Sequence, residues 1–430
     1  MKNKVSKIEP ERSDDFKHEA PPGAKKTKQQ EVENYLNTIY KFRYNTIKQK
    51  PEYKTLSIAD KWHPIDKYKL LSIKRDLDAF NLSISKDGLM DILQSSFAPA
   101  INPVKDYFAN LPEYIKGIDI DYIDQLCNTI KCKNSNDWRL YLKKWLVAVV
   151  ANIHIDDKCA NHTMLVLTGE QGKFKTTWLE NLCPKDLQQY NYTGKLNLEN
   201  KDCLTYIAEY MFVNIDDQLK QLHKKDENEL KNLITINNVK YRRPYDPIIT
   251  EYPHLCSFMA SVNGNDFLSD PTGSRRFLPF EVENINIEAA QKIDINGLWC
   301  QAYQLFKEGF IYWFNTEETD YLNKRNEAFS MVSIEEELIQ FYYRNNINKD
   351  LTNFVNSEIV KYLSNSMIMV DLEQKTKQRI NKRKLGEALT KLKYEKTQRT
   401  IEGRIQWVYK IIEKSFENRE KETLEEVFTK

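Results

Sequence analysis

A chain of 430 residues exceeds one ordinary hydrophobic core, so two or three domains are expected. Charged residues make up 29% and hydrophobic residues 41%, mean hydropathy is −0.65, and no apolar run approaches the roughly 18 residues of a membrane span. No membrane-spanning helix is therefore expected, and a net charge of +2 means that any nucleic-acid surface must arise from local clustering.

The first 30 residues carry charge and Pro21-Pro22-Gly23 but no apolar periodicity, and read as a disordered leader without a secretory h-region. Residues 31–135 read as a mixed α/β domain. Phe42-Arg43-Tyr44-Asn45, a polar turn and Glu52-Tyr53 predict a hairpin. Apolar spacing predicts helices over Leu89 to Gln94 and Tyr122 to Ile130. Asp119 and Asp121 form a D-x-D that a primase metal site could use. No partner acid or histidine motif accompanies it, and helix capping explains it equally well. The seven cysteines stand singly, with no CxxC pair, which reads as free thiols in a reducing cytoplasm. The six histidines show no ligand spacing.

Residues 136–332 hold the most informative stretch. A long amphipathic helix, Trp138 to Ile153, precedes apolar strands that alternate with helices, the mark of a parallel α/β sheet. Met164-Leu165-Val166-Leu167 reads as a buried strand. It runs into Gly169-Glu170-Gln171-Gly172-Lys173-Phe174-Lys175-Thr176-Thr177 and then a helical stretch. Strand, glycine loop, Lys-Thr and helix is the arrangement that cradles a triphosphate. Backbone N–H groups meet the phosphates, Lys175 reaches the β- and γ-phosphates, and the Thr176 hydroxyl binds Mg²⁺. Phe174 stands where the usual pattern has glycine.

A P-loop enzyme also needs acids at the end of a second strand. Met211 to Asp217 supplies them, with Asp216 expected at the metal and Asp217 at the attacking water. Ser257 to Val262 is a further strand, and it ends on Asn263, an amide in a sensor position. Arg275 and Arg276 then precede another strand, where an arginine can reach a neighbouring subunit's nucleotide.

The block from Asn161 through Val282 resembles the virulence-associated E family, phage, plasmid and pathogenicity-island proteins related to superfamily 3 helicases. GEQGKFKTTW, NIDDQL, SFMASVN and above all DPTGSRRFLPFEV carry the likeness. The resemblance implies an AAA+-like P-loop core using ATP and Mg²⁺, assembly into a ring (hexameric in the expected case), and translocation on DNA. Asp217 departs from the commoner glutamate and is one methylene shorter. The resemblance also implies a pore hairpin between the acidic and sensor strands. That interval holds Lys240, Tyr241, Arg242, Arg243 and Tyr245, basic and aromatic residues suited to a single strand. Anchoring of the arginines by Asp246 and Glu251 is the competing reading.

Residues 333–412 read as a winged-helix-like unit, closed by a solvated tail, 413–430. A basic helix with Lys382, Arg383, Lys384 and Lys391 precedes two strands carrying Arg399 and Arg404, a pattern suited to duplex DNA. The expected whole is a multidomain α+β and α/β protein, a DNA helicase or replication-initiation ATPase. The alternatives are a nucleotide switch with weak ATPase, or a DNA-binding factor indifferent to ATP.

Overall fold

The computed structural model describes residues 27–57, 60–133, 136–200, 203–243, 248–269, 273–345, 360–401 and 403–414. The expected leader therefore lies almost wholly outside the described residues. Its last positions differ from expectation, because Thr27 caps the helix Lys28–Ile39 through a reciprocal bond pair with Gln30. Most of the expected tail also lies outside them, and Glu413 is still part of a strand.

The fold is mixed α+β with several sheets. At the N-terminal end, the expected hairpin forms between Tyr40–Asn45 and Lys50–Thr55. Helices Lys67–Ala79 and Lys86–Leu93 lay Leu70, Ile73, Leu77 and Leu89 against Phe42 and Leu36. A buried polar group crosses this apolar layer. Arg43 pairs with Glu52 at 2.6 Å, and Asn45 donates to Glu52 and to the Tyr190 hydroxyl far along the chain.

The central sheet has six strands in the order Ile130–Cys132, Phe277–Ile285, Met164–Thr168, Ser257–Ser261, Phe212–Asp216, Asn191–Gly194. The last five are parallel to one another, and only Ile130–Cys132 runs antiparallel. Side chains alternate faces along a strand. Leu165 and Leu167 join one core with Trp145, Trp178 and Trp299, while Met164 and Val166 join another with Ile207, Leu230 and Ile234. A sheet covered on both faces needs strands that are apolar throughout, and Met164–Thr168 is buried at every position.

The expected boundary at residue 135 is corrected by this packing. Val104, Phe108, Ile123, Leu126 and Ile130 belong to the core of the central sheet. Phe108 meets Trp299 edge to face. The helix expected to reach Ile130 stops at Asn128, because Ile130–Cys132 leaves it to pair with the outer strand. Asp121 caps that helix by accepting from the Asp124 N–H and also accepts from the Gln301 side-chain amide, and Asp119 accepts from the Ile115 N–H, so both acids are engaged in structural bonds.

The last unit contains Ile334–Tyr342, a strand Val360–Leu363, helices Asn365–Thr376 and Lys382–Lys391, and the hairpin Lys396–Ile401/Arg404–Glu413. Val360–Leu363 pairs with the second hairpin strand. Ile339, Ile368, Leu385, Leu389 and Ile411 form its own core. Among the described residues no helix is long and apolar enough to cross a membrane. All seven cysteines are buried and free, and burial pushes the Cys159 thiol up to about 12.

The two kinds of ion pair in the N-terminal unit should differ sharply in value. Glu52→Ala strands the buried Arg43 and should cost about 3 kcal/mol. Lys74→Ala breaks the exposed Lys74–Asp78 pair and should cost about 0.5 kcal/mol or less. Denaturant unfolding of both variants checks this.

Candidate functional site

The strand Met164–Thr168 delivers the chain to Gly169 at the C-terminal edge of the sheet. Gly169 has φ +130°, and a Cβ there would lie 2.9 Å from the Val282 carbonyl oxygen, so backbone is packed where a side chain would stand. Its own carbonyl accepts from the Gly264 N–H at 3.1 Å. Gly172 turns the loop with φ +81°. Phe174 then caps the helix Lys175–Glu180 in the left-handed conformation, φ +58°, with its ring 55% exposed. The backbone thus still takes the shape for which glycine is suited, at a cost to phenylalanine of about 1 kcal/mol. Glu170, Gln171 and Gly172 are exposed, and Lys173 pairs loosely with Glu170 at 3.5 Å.

Lys175 is buried, and its ammonium donates to the carbonyls of Gly169 and Glu170 and to Asn263 Oδ1 at 3.1, 2.6 and 3.2 Å. Burial pulls its pKa down, while Asp217 and Asp216 push it up. Thr176 Oγ1 donates to Asp216 Oδ1 at 2.9 Å. Thr177 follows in the same helix, half-buried. Asp217, at φ +50°, accepts from the Asn263 N–H at 3.1 Å and its side-chain amide at 2.5 Å. Six of the residues singled out for nucleotide chemistry therefore meet at one edge: Gly169, Lys175, Thr176, Asp216, Asp217 and Asn263. Sequence reasoning missed Ser261. Its hydroxyl lies 2.5 Å from Asp216 Oδ1 and 2.9 Å from Thr176 Oγ1, and the signal was the hydroxyl that ends the strand SFMAS on its C-terminal side.

Arg275 and Arg276 sit at the opposite edge. Phe277 pairs with Met164, the first residue of the loop strand, about 13 Å of strand away from Thr168. Their turn is held from behind. Buried Lys231 and Glu227 pair at 2.7 Å, and Glu227 accepts from the Ser269 N–H and hydroxyl. Asn326 donates to the carbonyls of Ser274 and Phe277. Among the described residues Arg276 Nε is buried without a hydrogen-bond partner, and burial, then Arg275, lowers the guanidinium's pKa. A cavity of about 280 Å³ opens beside the pair, lined also by His162, Tyr312 and Trp313.

Of the candidate single-strand contacts, Lys240 and Tyr241 lie on the strand Asn238–Tyr241, which pairs with Thr250–Pro253. Lys240 reaches Glu251 at 3.2 Å, and Arg242 is exposed. Arg243 is corrected from DNA contact to anchor. It pairs with Glu209 at 2.8 Å and donates to the carbonyls of Lys48 and Ile47 in the N-terminal hairpin turn, 2.8 and 3.0 Å away. Tyr245 and Asp246 lie outside the described residues. In the C-terminal unit Lys382, Lys384 and Arg404 are exposed. Arg383 pairs with Glu387, Arg399 stacks 3.5 Å over Tyr362, and Lys391 is engaged by Glu336 at 2.8 Å, tying its helix to Ile334–Tyr342.

The profile of the Virulence-associated protein E-like domain matches residues 113–331, just over half of the chain and all of the edge cluster. The chain belongs to the virulence-associated protein E-like family. The matched stretch opens ahead of Ile130–Cys132, in keeping with the packing that joins those residues to the central sheet. No curated protein matches. Three solved chains, each an apo structure of the C-terminal region of NrS-1, are 14% identical to this one. They cover 91%, 89% and 90% of it, with 100%, 98% and 100% of their own length and TM-scores of 0.47, 0.46 and 0.48. At those scores nothing functional is taken from the likeness.

The loop geometry separates two glycine positions. Phe174→Gly should leave stability unchanged or raise it by up to about 1 kcal/mol, since it relieves a left-handed residue whose ring is exposed. Gly169→Ala should lower it by about 2 kcal/mol or more, by driving a methyl group into the Val282 carbonyl. Thermal unfolding of both variants is the measurement, and a destabilised Phe174→Gly would mean that the ring itself is held.

Proposed function

We propose that this chain is an ATP-hydrolysing DNA-replication protein of a mobile genetic element or phage, acting as a ring in which neighbouring copies complete each other's sites. The observation that carries the reading is the gathering of Lys175, Thr176, Asp216, Asp217 and Asn263 at one sheet edge. The strand order supports it: Ser257–Ser261 lies between the loop strand and the acid strand, the arrangement expected of an AAA+-like core. Two guanidiniums at the far edge, one with a buried N–H unmatched among the described residues, suit an anion brought by another copy.

In this mechanism the loop N–H groups and the Lys175 ammonium take the triphosphate, with phosphate oxygens replacing the two loop carbonyls that Lys175 now holds. The donor set of Thr176 and Asp216 fits Mg²⁺, a hard cation that takes one or two protein oxygens beside phosphate and water. When bound, the ion neutralises charge on the β- and γ-phosphates. Asp217 accepts the proton of the attacking water, with Asn263 fixing its orientation. Arg275 or Arg276 of an adjoining copy then stabilises the charge that develops on transfer. The C-terminal order of helix, strand, two helices and hairpin supports the winged-helix reading, with Lys382, Arg383, Lys384, Arg399 and Arg404 toward phosphates.

One observation favours slow turnover, and so the switch reading. Asp217 is the shorter acid, and both Asn263 N–H groups already hold its carboxylate.

Lys175→Ala should raise the Kd for ATP by about two orders of magnitude. Asp217→Asn should keep ATP and lose hydrolysis by about a hundredfold. Equilibrium binding of a labelled nucleotide with a phosphate-release assay checks both, and unchanged affinity in Lys175→Ala would remove the reading.

Mixing decides whether the arginines act between copies. Lys175→Ala protein combined with Arg275→Ala/Arg276→Ala protein should recover about a quarter of wild-type ATPase at equal amounts, since a random pairing of the two variants leaves that share of sites whole. No recovery from two variants that still assemble would place the arginines in cis or in a structural role.

A further inference from the structure

The C-terminal hairpin carries a face that the described residues of its own domain leave exposed. Its inner half is anchored, since Val408, Ile411 and Ile412 are buried. Its outer half is not. Trp407 is 55% exposed and Ile405 74%. They are two residues apart and so share a face, on which their cross-strand partners are Gln398 and Thr400. Lys396 closes the row, its ammonium 5.3 Å from the Trp407 ring. The opposite face carries Arg399, paired with Gln406.

The surrounding charge selects the occupant. From Lys377 to Lys410 the sequence has eleven lysines and arginines against three glutamates. An apolar face in so basic a setting is poorly suited to an ordinary protein surface and well suited to a polyanion with flat apolar groups. Inside a duplex each base is already stacked above and below, and no indole can reach its plane. An unpaired base, or the last pair at a duplex end, offers a free π-face. The phosphate beside it would meet Lys396, whose ammonium already lies against the Trp407 ring.

We infer that the Trp407–Ile405 face of the C-terminal hairpin is a stacking surface for unpaired nucleotides where duplex DNA opens into single strands. This goes beyond duplex binding by a basic helix, and it stands whether or not the chain hydrolyses ATP. It gives the unit a preference for forked DNA over closed duplex, with the lysines setting strength and Trp407 setting the preference.

The test uses the full chain without nucleotide, with fluorescence anisotropy on a blunt duplex and on a fork of the same paired length. Trp407→Ala should weaken fork binding about tenfold and blunt-duplex binding less than about twofold, with Trp407→Phe close to wild type. Equal losses on both DNAs, an unchanged fork affinity, or no fork binding by the wild type would each overturn the inference. A second measurement needs no variant. A 2-aminopurine at the first unpaired position should be quenched by wild-type protein, and the same base placed mid-duplex should not. A probe that does not respond overturns the assignment. Loss of self-association in Trp407→Ala, with fork binding intact, would give the face to a second copy instead.

Discussion

The structure depends on a sheet that is sealed on both faces. Once Leu165 and Leu167 face one core and Met164 and Val166 the other, a strand has no solvent side on which to place a charged group. Polar chemistry can emerge only where strands end. At the C-terminal ends the chain sets two hydrogen-bonded groups side by side, an ammonium, an amide and a carboxylate in one, and two hydroxyls and a carboxylate in the other. At the N-terminal ends it sets two guanidiniums. Because the five strands are parallel, opposite charge is sorted to opposite ends of one rigid slab, too far apart for the two ends to neutralise each other. An assembly of such slabs placed edge to edge would bring the two ends into contact.

The glycine loop was legible because a strand, a glycine turn and Lys-Thr are consecutive in sequence. The acid strand and the amide strand were legible for the same reason, each being a short apolar run with a polar terminus. What depended on long-range packing was not. Ser261 reads as the last residue of a buried strand until the fold brings Thr176 and Asp216 to it. Arg243 reads as one of a basic pair until Glu209 and the turn at Ile47 and Lys48 enclose it. The segment from Val104 to Cys132 reads as the close of a first domain. Its apolar residues carry no sign of which core they join, and only the pairing of Ile130–Cys132 with Phe277–Ile285 decides it.

Phe174 and Asp217 are the two departures from the wider pattern, and the fold gives them a common property. Both are non-glycine residues at positive φ, at +58° and +50°, on the two loops that face each other across the edge cluster. Gln49, Asn81, Lys377 and Lys393 share that conformation elsewhere, but only Phe174 and Asp217 among the described residues bring it to the place where the side chains converge, and strained residues are commonly retained at such places.

The bond between Arg243 and the N-terminal hairpin is made to main-chain oxygens, those of Ile47 and Lys48. Asn45 holds the same turn by accepting from the backbone N–H groups of both residues. These four bonds therefore read the path of the chain through the turn. The two side chains add to the joint, Ile47 buried in the core of the central sheet and Lys48 set over the Tyr210 ring beside Glu209, so it depends on the turn's length and on its residues together. Related chains should accordingly hold this turn at constant length, since a residue more or less would move both carbonyls away from Arg243.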